Sequence, residues 1–290
     1  MEVSSHYRFC AVGSWRLWIH SERWSEALWN EILRHLEDQR SVDHPETRRF
    51  RFPGEKESGD FYLKMYSGTR FWGRVKDLFR DSKAFRALKM GRALSSLGFH
   101  VPLTVVAGEE RRFRFLKRAF LLTIGIGGSS LPVFLHEYGA LPSDPDLLKR
   151  KREHLRQLAQ EIRRLHGYGF VHGDLIPNNI LVRAEGEGVA FFYIDNDRTR
   201  RYRGWCPAIL RKRNLIQLNR FVLHGISLQD RMRFLRGYLG QPSWGRRERR
   251  LIRWLERKTR LRRMECDRVQ APVTFRELMR WNGPFAKNSQ

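Results

Sequence analysis

The sequence predicts an α+β protein in two lobes, the first rich in β-strands and the second helical. Three observations predict it. Strand-type alternation dominates as far as Ile124. A glycine-rich run, Gly125 to Ser130, then interrupts the chain. Apolar residues at helical spacing follow it. With 41% hydrophobic and 12% aromatic residues among 290, there is enough apolar material for a real core, which excludes a disordered chain. The expected organisation is residues 46–124 as the first lobe and 125–290 as the second, which ends in basic helices. Residues 1–45 form an N-terminal extension or extra elements of the first lobe.

Each element has its own signal. Trp15 to His20 alternates as a strand. Glu22 to Glu37 spaces Trp24, Leu28, Ile32 and Leu36 along one helical face. Arg48 to Phe52 and Asp60 to Tyr66 form two strands across a Pro-Gly-rich turn. Asp81 or Ser82 caps a helix that ends near Gly98 and buries Ala84, Ala87, Leu88, Gly91 and Leu94. Val101 to Ala107 and Arg112 to Ile124 are further strands. After the glycine run, Leu155, Leu158, Ile162 and Leu165 mark a core-facing helix. A strand from Ile180 to Val182, a turn from Ala184 to Gly188 and a second apolar strand follow. Beyond Asp197 the chain is mostly helical.

Charge and cysteines narrow the setting. Lys and Arg number 56 against 31 Asp and Glu, a formal charge of +25. Such a surface attracts polyanions, whether nucleic acid, anionic lipid or a phosphorylated glycan. No helix-turn-helix, zinc-finger or RNA-binding aromatic signature is present, which argues against nucleic acid. Cys10, Cys206 and Cys266 share no metal-like spacing and fit a reducing compartment. The first residues lack a signal-peptide pattern. The most apolar stretch, Ala119 to Leu135, is cut by glycines and is too short for a membrane span.

The chemistry sits in two segments of the second half. His172-Gly-Asp174-Leu-Ile-Pro-Asn-Asn179 has the form H-x-D-x-x-x-x-N. Phe191-Phe-Tyr-Ile-Asp195-Asn-Asp197-Arg198 places an Asp at the end of an apolar strand. In that order and spacing, Asp174 is the candidate base for phosphoryl transfer, and Asn179 and Asp195 are candidate magnesium ligands. Asp197 is either a second carboxylate at the metal or the partner of Arg198. Lys64, a lysine inside the apolar strand Phe61 to Tyr66, is the candidate phosphate anchor and requires a carboxylate. The helix after it, Ser82 to Leu97, has no acidic residue, so Asp195, Asp77 or Asp81 is the expected partner. No glycine-rich phosphate loop precedes Lys64; the run from Gly125 serves as a hinge. His166 and His172 are structural. With the lobe pattern, these residues describe a protein-kinase-like fold.

These motifs resemble those of the lipopolysaccharide core kinases, the Kdo kinase and heptose kinase type. Besides the two acidic segments, the resemblance covers Phe61 to Tyr66, Ser82-Lys-Ala84, Gly98 to Pro102 and Leu121 to Thr123. It continues through Asn214 to Asn219 and Asp230 to Leu235. It implies an ATP- and Mg2+-dependent enzyme, cytoplasmic and peripheral on the inner membrane, that phosphorylates an inner-core sugar. It assigns catalysis to Asp174, nucleotide binding to Lys64, Thr123 and Gly125, and metal binding to Asn179, Asp195 and Asp197. The implied partners are the lipopolysaccharide core, or another lipid-linked anionic glycan, and an anionic membrane surface. Arg246 to Arg263, with nine arginines and one lysine, is the expected docking segment. The alternatives are a protein or small-molecule kinase of the same fold and a pseudokinase-type interaction module.

Overall fold

A computed structural model describes residues 6–37, 46–52, 59–67, 80–113, 115–140, 144–186, 188–221, 223, 225–241 and 243–268. The chain divides into two compact units. One comprises Met1–Gly127 with Phe192–Thr199, and the other Gly128–Phe191 with Arg200–Gln290.

The first unit is built on a six-stranded antiparallel sheet. Its strands are β1 (Tyr7–Val12), β2 (Trp15–His20), β3 (Glu46–Arg51), β4 (Asp60–Ser67), β5 (Thr104–Arg112) and β6 (Phe115–Ile124). They lie in the order β1-β2-β5-β6-β4-β3. Alternation gives the sheet two different faces. Trp15, Leu17, Ile19, Phe61, Leu63, Met65, Phe120 and Leu122 point to one face, where helix α1 (Glu26–Glu37) lays down Leu28, Trp29, Ile32 and Leu36. Tyr66, Ala107, Leu116 and Ala119 point to the other and meet Ala84, Phe85 and Leu88 of helix α2 (Lys83–Ser95). Ser82 caps α2 by accepting from the Phe85 N–H at 3.2 Å, and Asp81 stays exposed. Lys64 therefore emerges on the α2 face.

The element boundaries correct the sequence reading in several places. The strand expected from Val101 starts at Thr104, and the one expected from Arg112 starts at Phe115. The turn expected over Ala184 to Gly188 is narrowed by strands that end at Glu185 and start at Gly188. Helix α1 begins at Glu26 rather than Glu22, with Trp24 before it. Ala107 does not end its strand; β5 continues to Arg112, and the chain turns at Phe113, whose φ is 48°. The two consecutive acidic residues that follow Gly108 are neutralised from within β5 and from the neighbouring strands. Glu109 pairs with Arg111 at 2.8 Å and Arg16 at 3.3 Å, and Glu110 with Arg118 at 2.6 Å and Lys117 at 3.1 Å. The edge strand β1, which the sequence reading did not anticipate, pairs along its full length with β2.

The second unit is mostly helical. Helix α3 (Leu131–Ala140) precedes α4 (Pro145–Gly167), which Asp144 caps. Leu155, Leu158, Ile162 and Leu165 of α4 are buried, as the spacing predicted, and Ala159 is buried with them. Short strands β7 (Ser129–Ser130), β8 (Phe170–Val171), β9 (Ile180–Glu185), β10 (Gly188–Tyr193) and β11 (Arg200–Arg201) surround the H-x-D-x-x-x-x-N segment in sequence. Helices α5 (Ala208–Leu218), α6 (Leu228–Leu239) and α7 (Arg246–Arg268) follow. Helices α4 and α6 are joined at a buried ion pair, Lys151 to Asp230 at 2.7 Å, where Asp230 also completes the capping box of Ser227.

Gly108 in the middle of β5 is a test of the sheet packing. A Cβ there would lie 2.2 Å from Phe120 Cε1 and 2.9 Å from Leu17 Cδ2. Gly108→Ala should destabilise the protein by about 1–3 kcal/mol through overpacking. Urea denaturation of both proteins measures it; an unchanged midpoint would contradict this packing.

Candidate functional site

In the first unit the functional side chains gather around Asp195. Strand β10 ends at Tyr193, whose N–H donates to the His100 carbonyl at 3.0 Å. Asp195 then adopts a left-handed conformation, φ 61° and ψ 49°, and begins the short 3-10 helix Asn196–Arg198. Aspartate is one of the few side chains that tolerates this region. The turn is held by the buried Asn196, which donates to the Tyr193 carbonyl at 2.9 Å and accepts from the Thr199 hydroxyl at 3.2 Å. Asp195 is thereby aimed at the Lys64 ammonium, with which it forms an ion pair. Both side chains stay partly open to solvent, 23% for Lys64 and 30% for Asp195.

The charge balance around this pair is tight. Asp197 is buried and turns to Asp195; among the described residues it makes no ion pair with Arg198. Burial first, then the Asp195 charge, pushes its carboxyl up to about 6. The Tyr66 hydroxyl is likewise held well above its ordinary value by burial and by the charges of Asp197 and Asp195. Lys64 also stands 5.4 Å from the centre of the Tyr66 ring.

These two carboxylates fit magnesium. A divalent cation bound to them would offset the repulsion that, together with burial, holds the Asp197 carboxyl above its ordinary value. No cluster of three or more His, Cys, Asp or Glu side chains stands together among the described residues. Magnesium does not need one, since one or two carboxylates plus phosphate and water oxygens complete its shell.

The second unit holds the other predicted residues on a preorganised loop. Pro177–Asn179 forms a 3-10 turn, and the Asn179 amide donates to the Asp174 carbonyl at 2.8 Å. The Asp174 N–H donates to His172 Nδ1 at 3.2 Å, which makes the buried His172 a support for the loop. Two side chains of α5 complete the frame. Asn214, 1% exposed, accepts from the His172 N–H at 3.2 Å and donates to the His172 carbonyl at 2.5 Å. Gln217 accepts from the Leu175 N–H at 3.3 Å and donates to the Gly173 carbonyl at 3.2 Å. Behind Asn214, His166 donates from Nε2 to Asn214 Oδ1 at 3.1 Å and accepts from the Tyr238 hydroxyl at 2.8 Å. Every hydrogen-bonding position of the buried Asn214 amide is used.

Of the residues the sequence singles out, Lys64, Asp195 and Asp197 lie together, with Asp195 as the ion-pair partner of Lys64, and Asp174 and Asn179 share the loop of the second unit. Asp77 lies outside the described residues, as do the side chain of Cys266 and the turn between β3 and β4. Thr123 pairs in register with Tyr62. Gly125 donates its N–H to the Asp60 carbonyl at 2.6 Å, and a Cβ there would lie 2.8 Å from that oxygen. Asn214 and Gln217 enter the sequence reading only within the resemblance; nothing local marks them as supports of a loop 42 residues earlier.

The model of the lipopolysaccharide kinase (Kdo/WaaP) family matches residues 34–238. The chain belongs to that family. A curated relative, 3-deoxy-D-manno-octulosonic acid kinase of Mannheimia succiniciproducens, is 28% identical over 142 residues, which is 47% of this chain. The chain spans about 55% of that relative's length. Among solved structures, WaaP in complex with acyl carrier protein superposes with a TM-score of 0.60 at 23% identity, covering 81% of this chain and 95% of that one. The fold is accordingly the α+β, kinase-like fold expected from the sequence.

In this member of the Kdo/WaaP family the loop frame has a pH signature. Burial lowers His166 to about 4, against the smaller opposing effect of its hydrogen bond to Asn214. A histidine depressed in the folded state takes up its proton more readily when unfolded. Its contribution is complete above about pH 6.5 and is lost as the pH falls toward 4. Between pH 7 and pH 5 the wild type should lose about 2 kcal/mol more stability than His166→Gln. Parallel slopes in urea denaturation at the two pH values would refute the neutral, buried histidine.

Proposed function

We propose that this protein is a kinase that uses ATP and Mg2+ to phosphorylate a sugar hydroxyl, Kdo or heptose, of the lipopolysaccharide inner core. The observation that carries the reading is the Lys64–Asp195 ion pair with Asp197 beside it. It joins a phosphate-binding cation to two metal-binding carboxylates in a chain of the lipopolysaccharide kinase family. The relative named as a 3-deoxy-D-manno-octulosonic acid kinase supports a sugar acceptor.

In this reading each residue has one task. Lys64 binds nucleotide phosphate oxygens, and its strand, backed by the sheet core, fixes their position. Asp195 and Asp197 hold magnesium, which when bound neutralises the charge that develops on the transferred phosphoryl group. Asn179 contributes a further oxygen ligand. Thr123 and Gly125 border the nucleotide base at the end of β6. Asp174 orients the acceptor hydroxyl and takes its proton late in the transfer. The loop frame of Asn214 and Gln217 holds Asp174 in place before substrate arrives, and positioning of this kind supplies much of the rate.

Helix α7 supports a membrane-facing role on the cytoplasmic side. Leu255 is buried and Trp254 lies under Lys212, whereas Arg249, Arg253 and Arg257 are exposed. Leu261 of the same helix is 46% exposed. Among the described residues no helix is long and apolar enough to cross a membrane.

Two measurements test this function. Asp174→Ala and Asp195→Ala should each lower phosphate transfer from ATP to deacylated inner-core oligosaccharide by about a thousandfold or more. Near-wild-type transfer by either folded variant would overturn its assignment, and nucleotide binding without transfer by the wild type would favour an interaction module. Separately, Gln at Arg249, Arg253 and Arg257 should weaken binding to anionic liposomes by about 1 kcal/mol per charge. Added salt should mimic the substitutions. Equal binding of the wild type and this triple variant would make α7 a plain solvated face.

A further inference from the structure

A second basic feature lies in a groove of about 540 Å³ between α4 and α6, none of whose lining residues belongs to α7. Arg152, Arg156 and Arg163 of α4 line one wall, and Arg233 and Arg236 of α6 the other. Residues 152, 156 and 163 share one helical face, because four- and seven-residue steps return to the same side. The row extends about 16 Å at the helical rise. Its volume falls in the range of ordinary ligand sites.

The charges in the groove are poorly compensated. Arg156 pairs with Glu153, itself exposed, and Arg233 with Asp230 at 3.0 Å. Asp230 is already engaged by Lys151. Arg236 stacks over the Trp244 ring at 5.3 Å, a contact that leaves its charge in place. Arg152 and Arg163 have no hydrogen bond or ion pair among the described residues. Arg163 lies directly over Gly240, where a Cβ would meet its guanidinium at 1.6 Å. Five guanidinium groups therefore converge with two carboxylates between them.

The walls are also fixed before any ligand binds. Lys151–Asp230 joins the two helices at one end, and His166–Tyr238 joins them at the other. Between these ties, Gly237 lets α6 approach α4 until a Cβ would lie 3.1 Å from that of Ala159. A like-charged row on rigid walls costs stability in the empty protein and gains most from a ligand that brings several negative charges at once. Planar guanidinium forks match phosphate oxygens in pairs.

We infer that the α4–α6 groove is a binding site for a ligand with two or more clustered phosphate groups, distinct from the residues assigned to catalysis. The phosphates belong to a lipid headgroup or to a soluble molecule, and the probes separate these sources. Tripolyphosphate, followed by calorimetry, stands for the soluble source. Phosphatidylcholine vesicles with cardiolipin, followed by co-sedimentation, stand for the headgroup, with pure phosphatidylcholine as the blank.

The full chain should bind at least one probe, and Gln at Arg152, Arg156 and Arg236 together should weaken that binding tenfold or more. Gln at Arg253 and Arg257 of α7 should leave tripolyphosphate binding within twofold. Binding to tripolyphosphate alone identifies a soluble ligand, and binding to cardiolipin vesicles alone a headgroup. If the groove variant unfolds, Arg152→Gln, which gives up no bond among the described residues, is expected to weaken binding about threefold. Unchanged binding in the folded variants, or no binding of wild type to either probe, overturns the site. Loss of kinase activity elsewhere would leave this result untouched.

Discussion

A lysine and an aspartate 131 residues apart in sequence form the contact around which the first unit is organised. Lys64 comes from the middle of a sheet whose opposite face is closed by α1, so its strand cannot move without disturbing a core of large apolar side chains. Asp195 comes from a turn in an unfavourable backbone region, held by Asn196 and Thr199. An ammonium on a rigid strand thus meets a carboxylate on a braced turn. Without the Lys64 ammonium the Asp195 and Asp197 carboxylates would face each other uncompensated, so the cation is what lets the two stand together.

The same logic appears in the second unit with amides in place of charges. Loop backbone groups that would otherwise need water are satisfied by Asn214 and Gln217. Neutral amides suit this task. They donate and accept at once, and they add no net charge near Asp174. The neutral His166 extends the frame to Tyr238 of α6, so the loop is referred back to the packing of two long helices. Buried polar networks of this kind fix one geometry when every member is satisfied.

How legible this was in the sequence depended on range. Asp174, Asn179 and Asp195 could be located because their spacing is local and their neighbours are an apolar strand and a tight turn. Lys64 stood out as a cation in an apolar strand, and the absence of a carboxylate from α2 pointed to a partner elsewhere. Ser82 could be read as a cap from its place before an amphipathic run. Asn214 was not legible as a support of His172, because that bond spans 42 residues and joins a side chain to backbone. The continuation of β5 was hidden for a similar reason. Its acidic pair is neutralised in part by Arg16 and Arg118, which arrive from adjacent strands.

The segment Phe192–Thr199 belongs to the first unit although 64 residues of the second, Gly128–Phe191, precede it in the chain. During synthesis the sheet and α2 emerge long before this segment does. Until it arrives, Lys64 lacks its counter-charge and the α2 side lacks the 3-10 turn. The first unit is therefore not separable by cutting the gene at the glycine run. Its last piece is delivered only after most of α4 and the loop have left the ribosome, so completion of the sheet unit is coupled to the appearance of both halves of the chain.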